Sequence, residues 1–144
     1  MNIIDFEEYL NTILQTDNYC VLVNSTRLKL TDYESFLKPL ASLGGTLPNQ
    51  DTYVLGMIEQ GKWLDNPFYT EAQTKEGMLY NHYYYSSSFD DPMHADILID
   101  QEEYTNDRPG ITFVVYQKDL DRIVDVVTWT FDSDQGGTRY YLEN

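Results

Sequence analysis

The sequence predicts an α+β fold, in which N-terminal helices pack on one face of a mostly antiparallel sheet that ends in a three-strand meander. Apolar residues recur at helical spacing in the first third of the chain, whereas short β-branched and aromatic runs between turn residues dominate the rest. The C-terminal half shows no helical segment to connect parallel strands, which disfavours a parallel α/β arrangement.

The first predicted element is an amphipathic helix near the N-terminus. Its apolar residues follow a three-and-four spacing: Ile3, Phe6, Tyr9, Leu10, Ile13 and Leu14. Glu7, Glu8 and Asn11 lie on the opposite side, and Asn2 is expected to cap the helix.

A strand and a second helix follow. The run at 19–24 is apolar and bounded by turn-forming residues, which predicts a short buried strand. Thr31 and Glu34 have the spacing of a capping box, so a helix is expected to begin there. Pro39 is expected to kink or split that helix, and Gly44–Gly45 to end it.

Six further strands are predicted, because their residues suit a pleated, half-buried surface. They are Tyr53–Ile58, Met78–Tyr85, Asp96–Asp100, Ile111–Tyr116, Ile123–Phe131 and Thr138–Leu142. The first is too short for periodicity to distinguish it from a short helix, and a strand is favoured. The last three form the meander, with turns at 119–121 and 133–137. Within it, period two places Trp129 on a buried face with Ile123, Val127 and Phe131, and also with Asp125.

Length and composition predict a single compact domain over residues 1–144. The chain has 144 residues, 42% of them hydrophobic, and neither a linker nor an internal repeat divides it. Its one cysteine, Cys20, lies in an apolar run and is expected to be buried, so no disulfide framework is predicted. No targeting or membrane-spanning pattern is evident, and a soluble cytoplasmic protein is expected.

The charge is strongly negative and unevenly distributed. Nine Lys and Arg residues face 24 Asp and Glu, giving a formal net charge of −15, which argues against direct binding of nucleic-acid phosphates. No basic residue lies between Lys75 and Arg108. That segment contains eight acidic residues, Glu76, Asp90, Asp91, Asp96, Asp100, Glu102, Glu103 and Asp107, and five tyrosines, Tyr80, Tyr83, Tyr84, Tyr85 and Tyr104.

This acidic, tyrosine-rich segment is the predicted partner-binding site. Negative charge steers a basic partner toward it, and tyrosine supplies rigid, amphipathic contact area. The predicted contact residues are Tyr83, Tyr85, Asp90, Asp91, Asp96, Asp100, Glu102, Glu103, Tyr104 and Asp107. The alternative is a solvated face that keeps a small domain soluble.

The common basic proteins of a cell are those that bind nucleic acid. In being small, acidic, cysteine-poor and tyrosine-rich, the chain resembles immunity proteins that neutralise nuclease toxins and anti-defence proteins of the anti-CRISPR or anti-restriction kind. The likeness is one of composition and defines no family. It predicts a non-enzymatic inhibitor that occludes a nuclease or other nucleic-acid-binding effector by nucleic-acid mimicry, without a cofactor or a membrane. The alternative is a ligand- or carbohydrate-binding module, or a small hydrolase, with Tyr80–Tyr85 as its platform.

The sequence gives weaker support for a metal site or a catalytic site than for a partner-binding surface. Residues 132–143 have a spacing similar to that of a calcium loop, but a strand leads into them and Gly136 offers no side-chain ligand, which favours a hairpin turn. His82 and His94, twelve apart and without a Cys partner, give little support for a metal site. Ser86–Ser88 lacks a nucleophile elbow. No catalytic or metal-binding residue is therefore predicted.

Overall fold

A computed structural model describes residues 5–15, 17–90, 93–104, 109–130 and 138–139, the side chains of Asp90, Met93, His94 and 138–139 excepted. Within these ranges the chain forms two helices and eleven strands. They are α1 (Phe6–Leu14), β1 (Tyr19–Ser25), α2 (Leu30–Ala41), β2 (Tyr53–Glu59), β3 (Lys62–Trp63), β4 (Phe68–Tyr69), β5 (Thr74–Leu79), β6 (His82–Asp90), β7 (Met93–Ile99), β8 (Glu102–Glu103), β9 (Ile111–Gln117), β10 (Arg122–Trp129) and β11 (Thr138–Arg139). The predicted α+β class is confirmed.

The strands form two sheets rather than one. The larger sheet has the order β11-β10-β9-β1-β2-β3, with β4 also paired to β2, and the smaller sheet has the order β5-β6-β7-β8. All pairings between the described strands are antiparallel. The predicted meander is present as β9–β11, whereas the separate smaller sheet was not predicted.

The larger sheet lies between the helices and the smaller sheet. Val21 and Val23 of β1 belong to the core beneath α1 and α2. The alternate residues Cys20 and Leu22 pack instead in a second core. The smaller sheet contributes Leu79, Ile97 and Ile99 to that second core. Burial on both faces explains why the run at 19–24 is apolar without alternation.

Helix α1 is capped by Asp5. The Asp5 carboxylate accepts a hydrogen bond from the backbone N–H of Glu7 at 3.0 Å. This bond satisfies one of the N–H groups that a helix N-terminus leaves unpaired. The expected cap, Asn2, lies outside the described residues.

The capping box predicted for α2 is wrong. The helix begins one residue earlier, at Leu30, with Lys29 in the cap position and no cap bond from its side chain. A residue distant in sequence accepts a hydrogen bond from this end of the helix: the Leu30 N–H donates to Oδ1 of Asp51 at 3.2 Å. Thr31 therefore lies inside the first turn, and Glu34 pairs with Lys38 at 2.7 Å.

Pro39 does not split α2, which runs unbroken to Ala41. The proline lies in the last turn, close to the end of the helix. The backbone N–H groups of Gly44 and Gly45 both donate to the Ala41 carbonyl. The two glycines thus follow the end of the helix, as helix-ending residues commonly do.

The segment predicted as one strand, Met78–Tyr85, instead contains the end of β5, a turn and the start of β6. Leu79 pairs with His82, so Tyr80 and Asn81 form a two-residue turn between β5 and β6. Tyr80 has φ +57°, a left-handed conformation that tyrosine rarely adopts and that a sequence pattern does not reveal. The strand predicted at 96–100 is β7, which ends at Ile99 before a second tight turn at Asp100 and Gln101.

Trp129 lies on the buried face, as predicted. Its ring packs against Phe6 and Tyr9 of α1 at centroid distances of 5.2 and 5.6 Å. Val127 lies in the same core, and Asp125 accepts a hydrogen bond from the Tyr9 hydroxyl at 3.2 Å. That bond accounts for a carboxylate in an otherwise apolar row.

The placement of Ile123 with Trp129 is wrong. The pairing of β9 and β10 shifts by one residue between Ile123 and Asp125, which inserts a β-bulge at Val124. Ile123 consequently packs on the side of the smaller sheet, while Val124 packs on the helix side. Phe131, predicted to share the row, lies outside the described residues.

Among the described residues, no helix is long and apolar enough to cross a membrane. The calcium-loop-like residues 132–143 lie outside the description, apart from the backbone of 138–139. The prediction of a hairpin turn there stays a prediction.

Trp129→Ala is expected to lower the free energy of unfolding by about 3–5 kcal/mol, because a buried ring is replaced by a cavity. Urea denaturation followed by circular dichroism measures this loss. Leu64→Ala, at a side chain that is 56% exposed, is the control and should cost less than about 0.5 kcal/mol. A loss below about 1 kcal/mol for Trp129→Ala would contradict its placement in the main core.

Candidate functional site

The predicted partner-binding residues do not form one surface. Side chains alternate along a strand, so those of β6–β8 point either away from the larger sheet or toward it. The residues that point away are Tyr83, Tyr85, Asp96 and Glu103. The residues that line a cavity at one end of the two sheets are Asp100, Glu102 and Tyr104. Asp90 is described by its backbone alone, and Asp91 and Asp107 lie outside the described residues.

We call the solvent-facing side of the smaller sheet the outer face. Its described residues are Thr74, Glu76, Met78, Tyr83, Tyr85, Phe89, Asp96, Leu98 and Glu103, whereas Ser87, which follows the same alternation, is buried. Across its middle runs one row in register, Glu76–Tyr85–Leu98–Glu103, with one residue from each strand. An aromatic and aliphatic centre is thus bounded by a carboxylate on each edge strand.

One end of the outer face is unusually apolar for a solvated surface. Met78, which is 59% exposed, lies opposite Tyr83, which is 44% exposed, in the pairing of β5 with β6, whereas Phe89, 41% exposed, lies farther along β6. The Tyr83 hydroxyl donates to the Glu76 carboxylate at 2.5 Å, which restrains the ring and raises the pKa of the phenol. Clustered exposed apolar side chains with polar neighbours are typical of binding surfaces.

The outer face contains an open hollow of about 390 Å³. It is lined by Tyr83, Tyr85, Leu98 and Gln101. Sequence reasoning selected the two tyrosines but missed Leu98, Gln101, Glu76 and Met78. The pairing of β5 with β6, which requires the turn at Tyr80–Asn81, is what brings Glu76 and Met78 beside these tyrosines.

A second cluster centres on His82, which lies between two carboxylates. Its Nδ1 is 2.5 Å from Oδ2 of Asp100, and its Nε2 is 2.8 Å from Oδ1 of Asp121. Asp100 belongs to the smaller sheet, whereas Asp121 follows β9 in the larger sheet. His82 therefore ties the two sheets together. Because both ring nitrogens face carboxylates, both bonds require the doubly protonated imidazolium.

The same carboxylates accept further hydrogen bonds. The Tyr116 hydroxyl donates to Asp121, and the Tyr83 N–H donates to Oδ1 of Asp100 at 3.0 Å. Bonds from Tyr116 and His82 lower the pKa of Asp121, and bonds from His82 and Tyr83 lower that of Asp100. Hydrogen bonds to Asp100 and Asp121 in turn raise the pKa of His82. Burial and the Asp121 bond raise the pKa of Tyr116 to about 12.

The predicted platform Tyr80–Tyr85 is divided among three environments. Tyr80 stacks on Tyr116 at 5.4 Å between ring centroids and donates to Glu59, which also pairs with Lys118 at 3.2 Å. Tyr84 packs inward against the second core. Only Tyr83 and Tyr85 point outward, so the tyrosine run does not present a single aromatic surface.

The cavity beside His82 has a volume of about 220 Å³, below the roughly 300–1,000 Å³ typical of ligand pockets. His82 has both ring nitrogens engaged, which disfavours its use as a general base. The part of the chain that the structure describes contains no group of three side chains able to hold a metal ion. Cys20 is buried, and burial raises the pKa of its thiol to about 12, so it is a poor nucleophile.

His82 should make stability depend on pH. Since its pKa is raised in the folded protein, its stabilising effect is complete below about pH 6.5 and is lost as pH rises through the folded-state pKa. His82→Gln can donate to only one carboxylate and does not titrate. We expect it to cost about 1 kcal/mol at pH 6 and to flatten the decline in stability that wild type shows as pH rises above about 6.5.

Urea denaturation at several pH values measures this effect. His94→Gln is the matched control, because it removes the other histidine of the chain. It should keep the wild-type decline. Parallel declines in wild type and His82→Gln would contradict the role of His82 as a tie between the sheets.

Comparison of the chain with protein families, curated proteins and solved structures finds no match. What the protein does must therefore be inferred from its own residues.

Proposed function

We propose that the protein is a small acidic inhibitor, of immunity or anti-defence type, that binds a basic nucleic-acid-acting protein and occludes its nucleic-acid groove. The observation that carries this proposal is the row Glu76–Tyr85–Leu98–Glu103 on the outer face. It combines a partly exposed aromatic and aliphatic centre, which favours protein binding, with flanking carboxylates, which favour a basic partner.

The charge of the smaller sheet supports this choice of partner. Glu76 and Glu103 lie on its two edge strands, and Lys75, which lies on the face opposite Glu76, is the one Lys or Arg in its four strands. Long-range attraction from a chain with net charge −15 accelerates encounter with a basic protein and opposes approach to nucleic acid. The cytoplasm is where such partners act on nucleic acid.

The spacing of the carboxylates is compatible with nucleic-acid mimicry. Glu76 and Glu103 are three strand separations apart, or about 14 Å. The major groove of DNA, which separates two lines of phosphates, is about 12 Å wide. A groove lined by Lys and Arg can therefore meet one carboxylate on each edge strand, at a separation similar to that of the two phosphate backbones.

The ligand-binding or hydrolase alternative has less support. Its tyrosine platform is divided, and the hollow of the outer face is open rather than a cleft with converging catalytic carboxylates. The carboxylate pair that does converge, Asp100 and Asp121, is engaged by His82.

We expect affinity capture from a lysate of the source organism to recover a basic protein that binds nucleic acid. Excess DNA or RNA oligonucleotide should then displace the captured protein, because both ligands occupy one groove. Mass spectrometry and a competition assay with purified partner measure this. Simultaneous binding of oligonucleotide and inhibitor would contradict occlusion.

Reversing charge on the outer face should weaken this complex more than reversing it elsewhere. The test compares Glu76→Lys with Glu103→Lys against Glu7→Lys with Glu8→Lys, which lie on α1 beyond the larger sheet. All four side chains are exposed, and both double variants carry the same formal net charge of −11, since each reversal adds two charges. Asp5 and Asp100 are left intact because they cap α1 and bind His82.

We expect Kd to rise at least about tenfold for the outer-face variant and less than about threefold for the control, measured by calorimetry at 0.1 M salt. A thermal melt of each variant checks folding. Equal losses would indicate nonspecific steering alone. No loss in either variant would exclude the outer face as the binding site.

A further inference from the structure

We propose that the hollow of the outer face receives one arginine side chain of the basic partner and that this contact anchors the interface. This inference rests on the proposed function. It adds the chemical identity of the group that enters the hollow.

The lining of the hollow matches an alkyl-guanidinium group. Tyr83 and Tyr85 are two residues apart on β6 and share the outer face, so both rings border the space. Leu98 supplies an aliphatic wall for the methylene groups of an arginine. A planar guanidinium stacks favourably on tyrosine rings.

Charge favours a cation in the same place. Glu76 lies opposite Tyr85 on one side, and Glu103 lies opposite Leu98 on the other. The side chain of Gln101, which also lines the hollow, carries an amide oxygen that can accept from the guanidinium. A phosphate or carboxylate ligand would be repelled by these neighbours.

The aromatic wall is partly preorganised. The bond from the Tyr83 hydroxyl to Glu76 restrains both side chains in the free protein. Less side-chain entropy is then lost on binding, which raises affinity. Glu76 keeps other acceptor positions for the guanidinium.

Arginine is favoured over lysine by the shape of the site. The ammonium of lysine is a compact, strongly hydrated charge, whereas guanidinium is planar, weakly hydrated and able to stack. Two neighbouring aromatic rings are therefore expected to bind arginine more tightly than lysine. Arginine is also enriched among residues that dominate binding energy at interfaces.

The first test titrates isotopically labelled protein with N-acetyl-arginine methylamide and follows backbone amide shifts by NMR. The lysine and citrulline analogues are matched ligands, since citrulline keeps the shape of arginine and loses its charge. We expect shifts concentrated at Tyr83, Tyr85, Leu98 and Gln101, weaker with lysine and absent with citrulline. Equal shifts at Asp32 and Glu34 on α2, or equal effects of citrulline, would overturn the proposal.

Variants at Tyr85 provide the second test. Tyr85→Ala removes one ring and should weaken arginine binding about two- to fivefold. Tyr85→Leu, which keeps an apolar side chain suited to a strand, should do the same and guards against a folding defect. Leu64→Ala, at an exposed leucine between β3 and β4, should leave the titration unchanged.

With the captured partner, Tyr85→Leu should raise Kd at least about tenfold. An unchanged Kd in a complex that still competes with oligonucleotide would overturn the arginine anchor and leave the proposed function intact. Failure of oligonucleotide to compete would overturn the proposed function, while the titration with arginine would separately decide what the hollow binds.

Discussion

The structure depends on covering both faces of the larger sheet. Its central strands, β1 and β9, carry apolar residues on both sides, so each side needs its own layer. Helices α1 and α2 cover one side around Phe113 and Trp129, and the smaller sheet covers the other around Val114 and Ile97. Because the smaller sheet uses one face for this purpose, its remaining face is turned to solvent. The candidate binding surface is thus a consequence of how the core is closed.

Polar contacts fix how the smaller sheet sits on the larger one. At the His82 end, the imidazole bonds to a carboxylate from each sheet. Elsewhere, the buried Asn24 of β1 donates from Nδ2 to the carbonyls of Ser87 and Asp96 at 3.1 and 3.0 Å. Apolar packing alone would tolerate sliding of one sheet over the other, whereas these bonds are directional. They hold β6 and β7 in place, and with them the tyrosines of the outer face.

Much of the fold could be predicted from local patterns, and most of the site could not. Helical spacing found α1, and alternation with turn residues found the meander, because these signals lie within short segments. The capping box at Thr31 failed because Asp51, distant in sequence, caps that helix end. The side of the sheet on which Ile123 lies was predicted wrongly, because a β-bulge that the sequence pattern does not reveal reverses it. The site needed strand register: Glu76 joins Tyr85 only through the β5–β6 pairing, and Asp121 meets His82 only when two sheets pack.

The acidic edges and the aromatic centre of the outer face call for different explanations. Glu76 lies on edge strand β5, and Glu102 and Glu103 form edge strand β8. Charged residues on edge strands prevent sheets from pairing with other chains, so these carboxylates are useful even without a partner. The exposed Met78 and Tyr83 do not serve that purpose, since a solvated sheet face is ordinarily polar and exposed apolar groups promote association. Edge protection therefore explains the charge without a partner but does not explain the exposed apolar side chains, and the combination of the two on one face is what supports the proposal of a basic protein partner.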